Sequence, residues 1–271
     1  MAELGFMGIN VPEEYGGAGM DEVSKALVIM EIAKVDASVA ELLAVHTLTN
    51  DIFLKRGTEE QKKKYLALGA SGKVGAFALT EPGAGSDASA AKTKAISDGD
   101  DYIINGTKCF ISNMGPEEGD YVVLIALTDP SAGTKGMSAI VVDRNTPGFS
   151  VGKLENKMGL RGANVSELIF QDCRVPKSNL LGKEGEGFKI AMMTLDGGRV
   201  GVGAQALGIA EGAYNAAVQY AKERTQFGKP IAKFQAISFM LADMKLKIET
   251  ARLAVYKAAW KMAQPDVNPT P

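Results

Sequence analysis

An α+β fold follows from three features of the sequence. Apolar residues recur at helical spacing before Lys73, short β-rich runs separated by turn clusters fill Lys73 to Val175, and the helical period returns after Pro176. The organisation this implies is N-terminal helices at 1–71, a central antiparallel β-barrel or sandwich at 72–176, and a C-terminal helical domain at 177–271.

The first helical stretch is read over residues 21 to 50, with Val23, Leu27, Met30, Ile32, Val35, Val39, Leu42 and Leu43 on the apolar period and Asp21 as cap. A second helix begins at Thr58, where Thr58-Glu59-Glu60-Gln61 has the capping-box pattern, and runs to about Leu68, with Gly57 and Gly69 as its breaks. Strands are predicted at Val74–Leu79, Tyr102–Asn105, Tyr121–Leu127, Met137–Val142 and Glu167–Phe170. Between them, Asp98-Gly99-Asp100, Asn105-Gly106, Asp129-Pro130-Ser131 and Asn145-Thr146-Pro147-Gly148 carry turn chemistry. Short strands at this spacing point to a barrel or sandwich. Phe188 to Glu223 and Phe234 to Met262 read as two long helices, and the tail Gln264–Pro271, with three prolines, does not continue the second. Small residues on the first of them (Gly201, Gly203, Ala204, Ala206, Gly208, Ala210) point to close helix packing, subunit contact or plain burial.

Composition narrows the function classes. Of 271 residues, 46% are hydrophobic and 23% charged, and the formal net charge is −2. That balance lacks the basic footprint of a nucleic-acid or anionic-membrane binder. Cys109 and Cys173 are too few for a disulfide framework and fit a reducing compartment, the cytoplasm of a bacterium or the mitochondrial matrix of a eukaryote. Met1 to Asn10 lacks the pattern of a signal peptide. A single histidine, His46, excludes a multi-histidine metal site. It lies among Leu42, Leu43, Val45 and Leu48 and reads as part of a helix surface.

Two stretches carry chemistry. In Phe77-Ala78-Leu79-Thr80-Glu81-Pro82-Gly83-Ala84-Gly85-Ser86-Asp87, a strand ends in a loop whose glycines let backbone N–H groups converge on an anion, with the Ser86 hydroxyl beside them. Thr80, at the strand end, can donate and accept beside a heteroaromatic ring. It is neither a GxGxxG dinucleotide fingerprint nor a P-loop. The same residues also read as a plain Pro-Gly turn. In Asn105-Gly106-Thr107-Lys108-Cys109-Phe110-Ile111-Ser112-Asn113, an Asn-Gly turn leads into a strand whose alternation puts Phe110 and Ser112 on one face, suited to covering and bonding a flat heterocycle. A hairpin with an ordinary core phenylalanine fits equally.

Ala78 to Asp87 resembles the first signature of the acyl-CoA dehydrogenases, and Phe110-Ile111-Ser112 is similar to their Trp-Ile-Thr flavin contact. Further blocks resemble the family in order: Val11 to Gly19, Lys157 to Gly162, Gly187 to Met192, Leu195 to Arg199, and Arg224 to Pro230 with Phe234-Gln235. The short-chain, butyryl-CoA type looks most similar. The resemblance implies FAD as cofactor. Phe77, Ala78, Leu79 and Thr80 would line the flavin ring, Gly85 and Ser86 would meet its pyrophosphate, and Phe110, Ile111 and Ser112 would cover and bond the ring. Arg224, Gln226, Phe227 and Gln235 would reach the FAD of a neighbouring subunit, which implies a homodimer or homotetramer. Ser86, Phe188, Asp196, Gly197, Gly198 and Arg199 would contact the acyl-CoA substrate. For Arg199 a solvated helix charge, and for Arg224 a surface ion pair, are the plain alternatives.

The implied reaction is oxidation of a short-chain acyl-CoA to the trans-2-enoyl-CoA, with electrons passed to an electron-transferring flavoprotein. Its base is a glutamate in a Tyr-Glu-Gly-Thr-like turn, or, in the isovaleryl-CoA type, the residue before the arginine that Arg199 matches. Here that position is Gly198, and neither a Tyr-Glu-Gly-Thr-like turn nor the Gly-Gly-x-Gly segment that completes the family's FAD site follows it in the sequence. The expectation is therefore no catalytic residue in this chain and a sequence truncated at both ends. Two other roles fit the same residues: a non-enzymatic subunit that dimerises with a full-length paralogue, and an oxidase- or reductase-like variant.

Overall fold

The computed structural model describes residues 1–264. The predicted tail break at Gln264–Pro271 falls, from Pro265 on, outside the described residues. The chain forms two compact units that are not consecutive lengths of sequence: Met1–Met20 with Leu42–Gly198, and Asp21–Glu41 with Arg199–Pro271. The α+β class stands, in the order N-terminal helices, β-sheet, C-terminal helices.

The helices are α1 (Glu22–Ala33), α2 (Ala37–Arg56), α3 (Glu59–Gln61), a π-turn at Lys62–Leu66, α4 (Ala67–Ala70), α5 (Gly187–Glu223) and α6 (Gln235–Met262). Asp21 caps α1 by accepting from Ser24 N–H at 2.8 Å. The continuous helix read over 21 to 50 is in fact two: the chain breaks after α1, leaving Val35 92% exposed, and Asp36 restarts it by accepting from the N–H groups of Ser38 and Val39. An aspartate side chain competing for backbone donors is the physical reason. The Thr58 box forms as read, Gln61 N–H to Thr58 Oγ1 at 3.2 Å and Thr58 N–H to Gln61 Oε1 at 2.9 Å. Gly69 does not end that helix but lies within α4, where a Cβ would come within 2.8 Å of Asn50 Oδ1.

The strands are β1 (Gly75–Ala78), β2 (Lys94–Asp98), β3 (Asp101–Ser112), β4 (Tyr121–Leu127), β5 (Met137–Asp143), β6 (Phe149–Leu154), β7 (Val165–Pro176) and β8 (Leu180–Leu181), with β9 (Thr225–Gln226) and β10 (Lys229–Pro230) forming a separate hairpin. The large sheet runs β6-β7-β3-β2-β4-β5-β8, and β1 joins it alongside β4. Most pairings are antiparallel, but β1 is parallel to β4, and β2 meets β4 in parallel at Lys94 and Leu127. Asn105-Gly106 is not a turn. It lies inside β3, at a register shift against β7, and Gly106 has φ 152° with Thr93 Oγ1 2.5 Å from where a Cβ would stand. The real hairpin turn is Gly99-Asp100, between paired Asp98 and Asp101.

β4 and β5 are buried on both faces, and their alternation divides two cores. Tyr121, Val123, Ile125, Ala139 and Val141 pack with Ile52, Phe53, Tyr65 and Leu66. Val122, Leu124, Ala126, Ile140 and Val142 pack with Tyr102, Ile104, Leu168 and Phe170, so the sheet curls onto its own far strands. In the first core Phe53 stacks on Tyr65 at 4.8 Å and meets Tyr121 edge-on at 5.8 Å, contacts worth about 0.5–1.5 kcal/mol each beyond burial.

His46 is not a helix-surface residue. It is fully buried; Nε2 lies 3.0 Å from the Met7 carbonyl and Nδ1 accepts from Gly75 N–H at 3.3 Å. A carbonyl on one nitrogen and a backbone donor on the other require the neutral Nε2–H form. Burial lowers its pKa to about 4 against the pull of the Met7 and Gly69 backbone bonds.

In the second unit, α5 packs closely on the chain around α1. A Cβ at Gly208 would come within 2.2 Å of Met30 O, and one at Gly212 within 2.4 Å of Lys34 O. The small residues at these positions are there for backbone approach. Glu211 bridges the elements, pairing with Lys34 and Arg252 at 2.9 Å each. No helix among the described residues is long and apolar enough to cross a membrane.

Candidate functional site

β1 delivers Phe77 and Ala78 to the sheet, and the chain leaves the strand at Leu79 and Thr80. A tight turn follows. Glu81 N–H donates to Ala84 O at 3.1 Å, and Ala84 N–H returns to Glu81 O at 3.0 Å, so Pro82 and Gly83 sit at its tip. Gly85 and Ser86 continue from it, exposed. Neither Gly83 nor Gly85 has a left-handed φ, and a Cβ added to either meets no atom within 4 Å. The chain's own packing therefore does not demand glycine at these positions. Bare backbone with a hydroxyl beside it is chemistry that suits a diphosphate.

Lys108 and Cys109 of β3 lie against this loop. The β3–β7 register slips between Lys108 and Ile111, a bulge, so that Lys108 and Cys109 are both buried and strict alternation fails. Past the bulge Phe110 is 64% exposed, Ile111 is buried and Ser112 half-buried. Phe110 adopts φ 58°, a left-handed conformation that an aromatic residue enters at a cost of about 1–2 kcal/mol. The bulge is bound to the loop: Cys109 N–H donates to Thr80 O at 3.0 Å.

Beneath both lies a charge pair. Lys108 is fully buried, and its Nζ donates to Leu79 O and to Glu81 Oε1, each at 2.8 Å. The Glu81 carboxylate also accepts from Lys92 N–H at 2.7 Å and Thr93 N–H at 3.0 Å. Burial raises the pKa of Glu81, but Lys108 and these donors outweigh it and hold the carboxyl below its usual range. Glu81 is thus a fixed anion, the opposite of a base tuned upward to take a weakly acidic proton. Sequence reasoning assigned Lys108 no role. A lysine between Thr107 and the apolar run Cys109-Phe110-Ile111 was the available signal.

The remaining expected residues fall in three places. Phe188, near the start of α5, packs on the same core as Phe77, Leu79 and Ala84. Asp196, Gly197, Gly198 and Arg199 follow on α5, where a Cβ at Gly198 would meet Leu48 Cδ1 at 2.9 Å. Arg224, Gln226, Phe227 and Gln235 are exposed in the second unit, around the β9–β10 hairpin. Phe227, 92% exposed with φ 52°, sits at the hairpin tip, its ring edge-on to Phe234 at 6.2 Å.

Three family models match consecutive regions: acyl-CoA dehydrogenase N-terminal domain over residues 1–73, middle domain over 76–173 and C-terminal domain over 185–270. The chain is 54% identical over 263 residues to acryloyl-CoA reductase (NADH) of Anaerotignum propionicum, covering 96% of this chain and 66% of that protein. It is 51% identical over 262 residues to the short-chain specific acyl-CoA dehydrogenase of Clostridium acetobutylicum, covering 96% and 69%. The solved butyryl-CoA dehydrogenase of Megasphaera elsdenii superposes with TM-score 0.93 at 51% identity, over 97% of this chain and 70% of that one. The chain thus spans about two thirds of the length of these relatives. Matched along its whole course by sequence and by fold, the chain belongs to the acyl-CoA dehydrogenase family, whose members are FAD-dependent oxidoreductases acting on CH–CH bonds.

Proposed function

We propose that this chain forms the flavin-holding part of a short-chain acyl-CoA dehydrogenase, which oxidises the acyl thioester to the trans-2-enoyl-CoA and passes electrons to an electron-transferring flavoprotein. The observation that carries the reading is the loop from Thr80 to Ser86 with its open glycines, tied to a bulge that holds Phe110 outward. Bound FAD supplies a two-electron acceptor for the hydride leaving the β-carbon. The protein's own tasks are orientation and exclusion of water. Phe77 to Thr80 present backbone and hydroxyl to the ring edge, Phe110 covers the ring with Ile111 and Ser112 beside it, and Gly85 and Ser86 face the pyrophosphate.

Phe188 and Asp196 to Arg199 take the acyl-CoA, and Arg224, Gln226, Phe227 and Gln235 extend toward the FAD of a second copy in a homodimer or homotetramer. Neither position considered as base suits the α-proton: Glu81 is held by Lys108 with its carboxyl below the usual range, and Gly198 has no side chain. A reducing, cytoplasmic setting fits the two free buried cysteines.

The test is reconstitution. The purified chain mixed with excess FAD should retain a flavin spectrum through gel filtration, in an oligomer, and should turn over butyryl-CoA far more slowly than a relative with its carboxylate base. A well-folded sample that stays colourless sinks the reading. A second direction, reduction of a short 2-enoyl-CoA, is favoured by the 54% identity to acryloyl-CoA reductase (NADH). It shares the same flavin site, and the potential of the bound flavin separates the two.

A further inference from the structure

The strand tip at Leu79 and Thr80 is fixed from behind. Lys108 and Glu81 form an ion pair with side chains 0% and 7% exposed, a costly arrangement unless every polar atom finds a partner. The pair meets that condition: Lys108 Nζ reaches Leu79 O and Glu81 Oε1, and the two carboxylate oxygens take the Lys92 and Thr93 N–H groups. One strand of the bond network thus ends on the carbonyl of the Leu79–Thr80 peptide. Next along the chain, Thr80 O is taken by Cys109 N–H. Both carbonyls flanking Thr80 are therefore occupied from the β3 side. No cis peptide occurs among the described residues, so in the Leu79–Thr80 unit the N–H points opposite the C=O and away from Lys108. A cation bonded to a peptide oxygen also draws electron density from its nitrogen and strengthens the N–H as a donor.

We infer that Lys108, held by Glu81, is a positioning residue that aims and polarises the Thr80 N–H as a hydrogen-bond donor to the electron-rich edge of the flavin. The inference rests on the reading that Phe77 to Thr80 line the flavin ring. It assigns Lys108 an effect on redox balance as well as on shape. Reduced flavin carries more negative charge at its polar edge than oxidised flavin does, so a polarised donor favours the reduced form more. A purely structural pair would affect both forms alike.

The experiment compares the full chain with Lys108→Met and with the double variant Lys108→Met/Glu81→Gln. The double variant removes both charges together, which is far milder than orphaning one of them, and it keeps an acceptor for Lys92 and Thr93. Circular dichroism confirms folding, and anaerobic titration gives the affinity for oxidised and for reduced FAD. The expected result is a folded double variant whose affinity for reduced FAD falls about tenfold more than its affinity for oxidised FAD. For a two-electron couple that ratio lowers the potential by about 30 mV. Equal weakening of both forms, or none, in a folded variant overturns the inference. A wild-type chain that takes up no FAD overturns the flavin reading, and this inference with it.

Discussion

Two phenylalanines are held outward in left-handed backbone conformations, and they are held by different means. Phe227 sits at the tip of the β9–β10 hairpin with φ 52°, and the next residue, Gly228, has φ 74°. Positive φ at both positions is the type I′ form of a two-residue hairpin connection, so whatever residue stands at 227 bears the strain. Phe110, with φ 58°, sits in a bulge of a long strand, directly after Cys109, whose N–H is bonded to Thr80 O, and two residues after the buried Lys108. Nothing local demands an aromatic residue there. At Phe227 the backbone geometry comes from the turn alone, and at Phe110 it comes from contacts with a loop far away in sequence. Strain set by a turn reports on topology, whereas strain maintained by a distant network is the kind that marks a site.

The largest expected effect tests that network. Lys108→Met alone leaves the Glu81 carboxylate buried without its cation and should destabilise the chain by about 3–5 kcal/mol, measured by urea unfolding, with most of the loss recovered on adding Glu81→Gln. A single variant as stable as the wild type would show that the network does not hold the bulge, and the contrast with Phe227 would collapse. Next in size is a pH effect in the same unit. His46 titrates at about 4 in the folded chain against 6.5 for an ordinary histidine, so the unfolded chain binds the proton that the folded one rejects. Stability from this group is complete above pH 6.5 and declines as the pH falls toward 4, by about 3 kcal/mol in all. The urea midpoint of the wild type should fall across that window, and that of His46→Gln should fall less.

Both effects depend on residues whose partners are remote, and that is where the sequence was least legible. His46 meets Met7 and Gly75 at separations of 39 and 29 residues, and Lys108 meets Glu81 at 27. No local pattern encodes such pairs, so His46 read as surface and Lys108 carried no role. What was legible was local. The Thr58 capping box, the Asp21 cap and the two long helices rest on spacing within a turn or two, and β4 and β5 stood out as apolar runs because both their faces are buried. β2 and β6 are hidden for the opposite reason, having between them a single buried residue and little alternation to see. Asn105-Gly106 has the composition of a hairpin turn, yet tertiary pairing with β7 stretches it into a bulge. Alternation alone makes Phe110 and Ser112 neighbours on one face of a regular strand. The bulge before them was invisible to alternation, and it is what turns Phe110 outward.

Smaller effects compare the two phenylalanines directly. Phe110→Gly removes a residue from a conformation it disfavours and should stabilise the ligand-free chain by about 1 kcal/mol, while weakening FAD binding about tenfold through loss of the ring's cover. Stability and affinity should move in opposite directions, and a variant that loses both would mean that the bulge needs the ring for packing. Phe227→Asn should behave differently. Asparagine enters the left-handed region readily and is favoured in such turns, so the hairpin should gain about 0.5 kcal/mol in thermal unfolding. The ring's edge contact with Phe234 is lost, which trims the gain only slightly because Phe227 is exposed. The affinity of a dilute monomer for FAD should stay unchanged, since the residue's proposed role lies toward the FAD of a second copy. Should Phe227→Asn weaken FAD binding at concentrations where the chain is monomeric, the two phenylalanines serve one site in one chain, and the strain at 227 has a use beyond closing its turn.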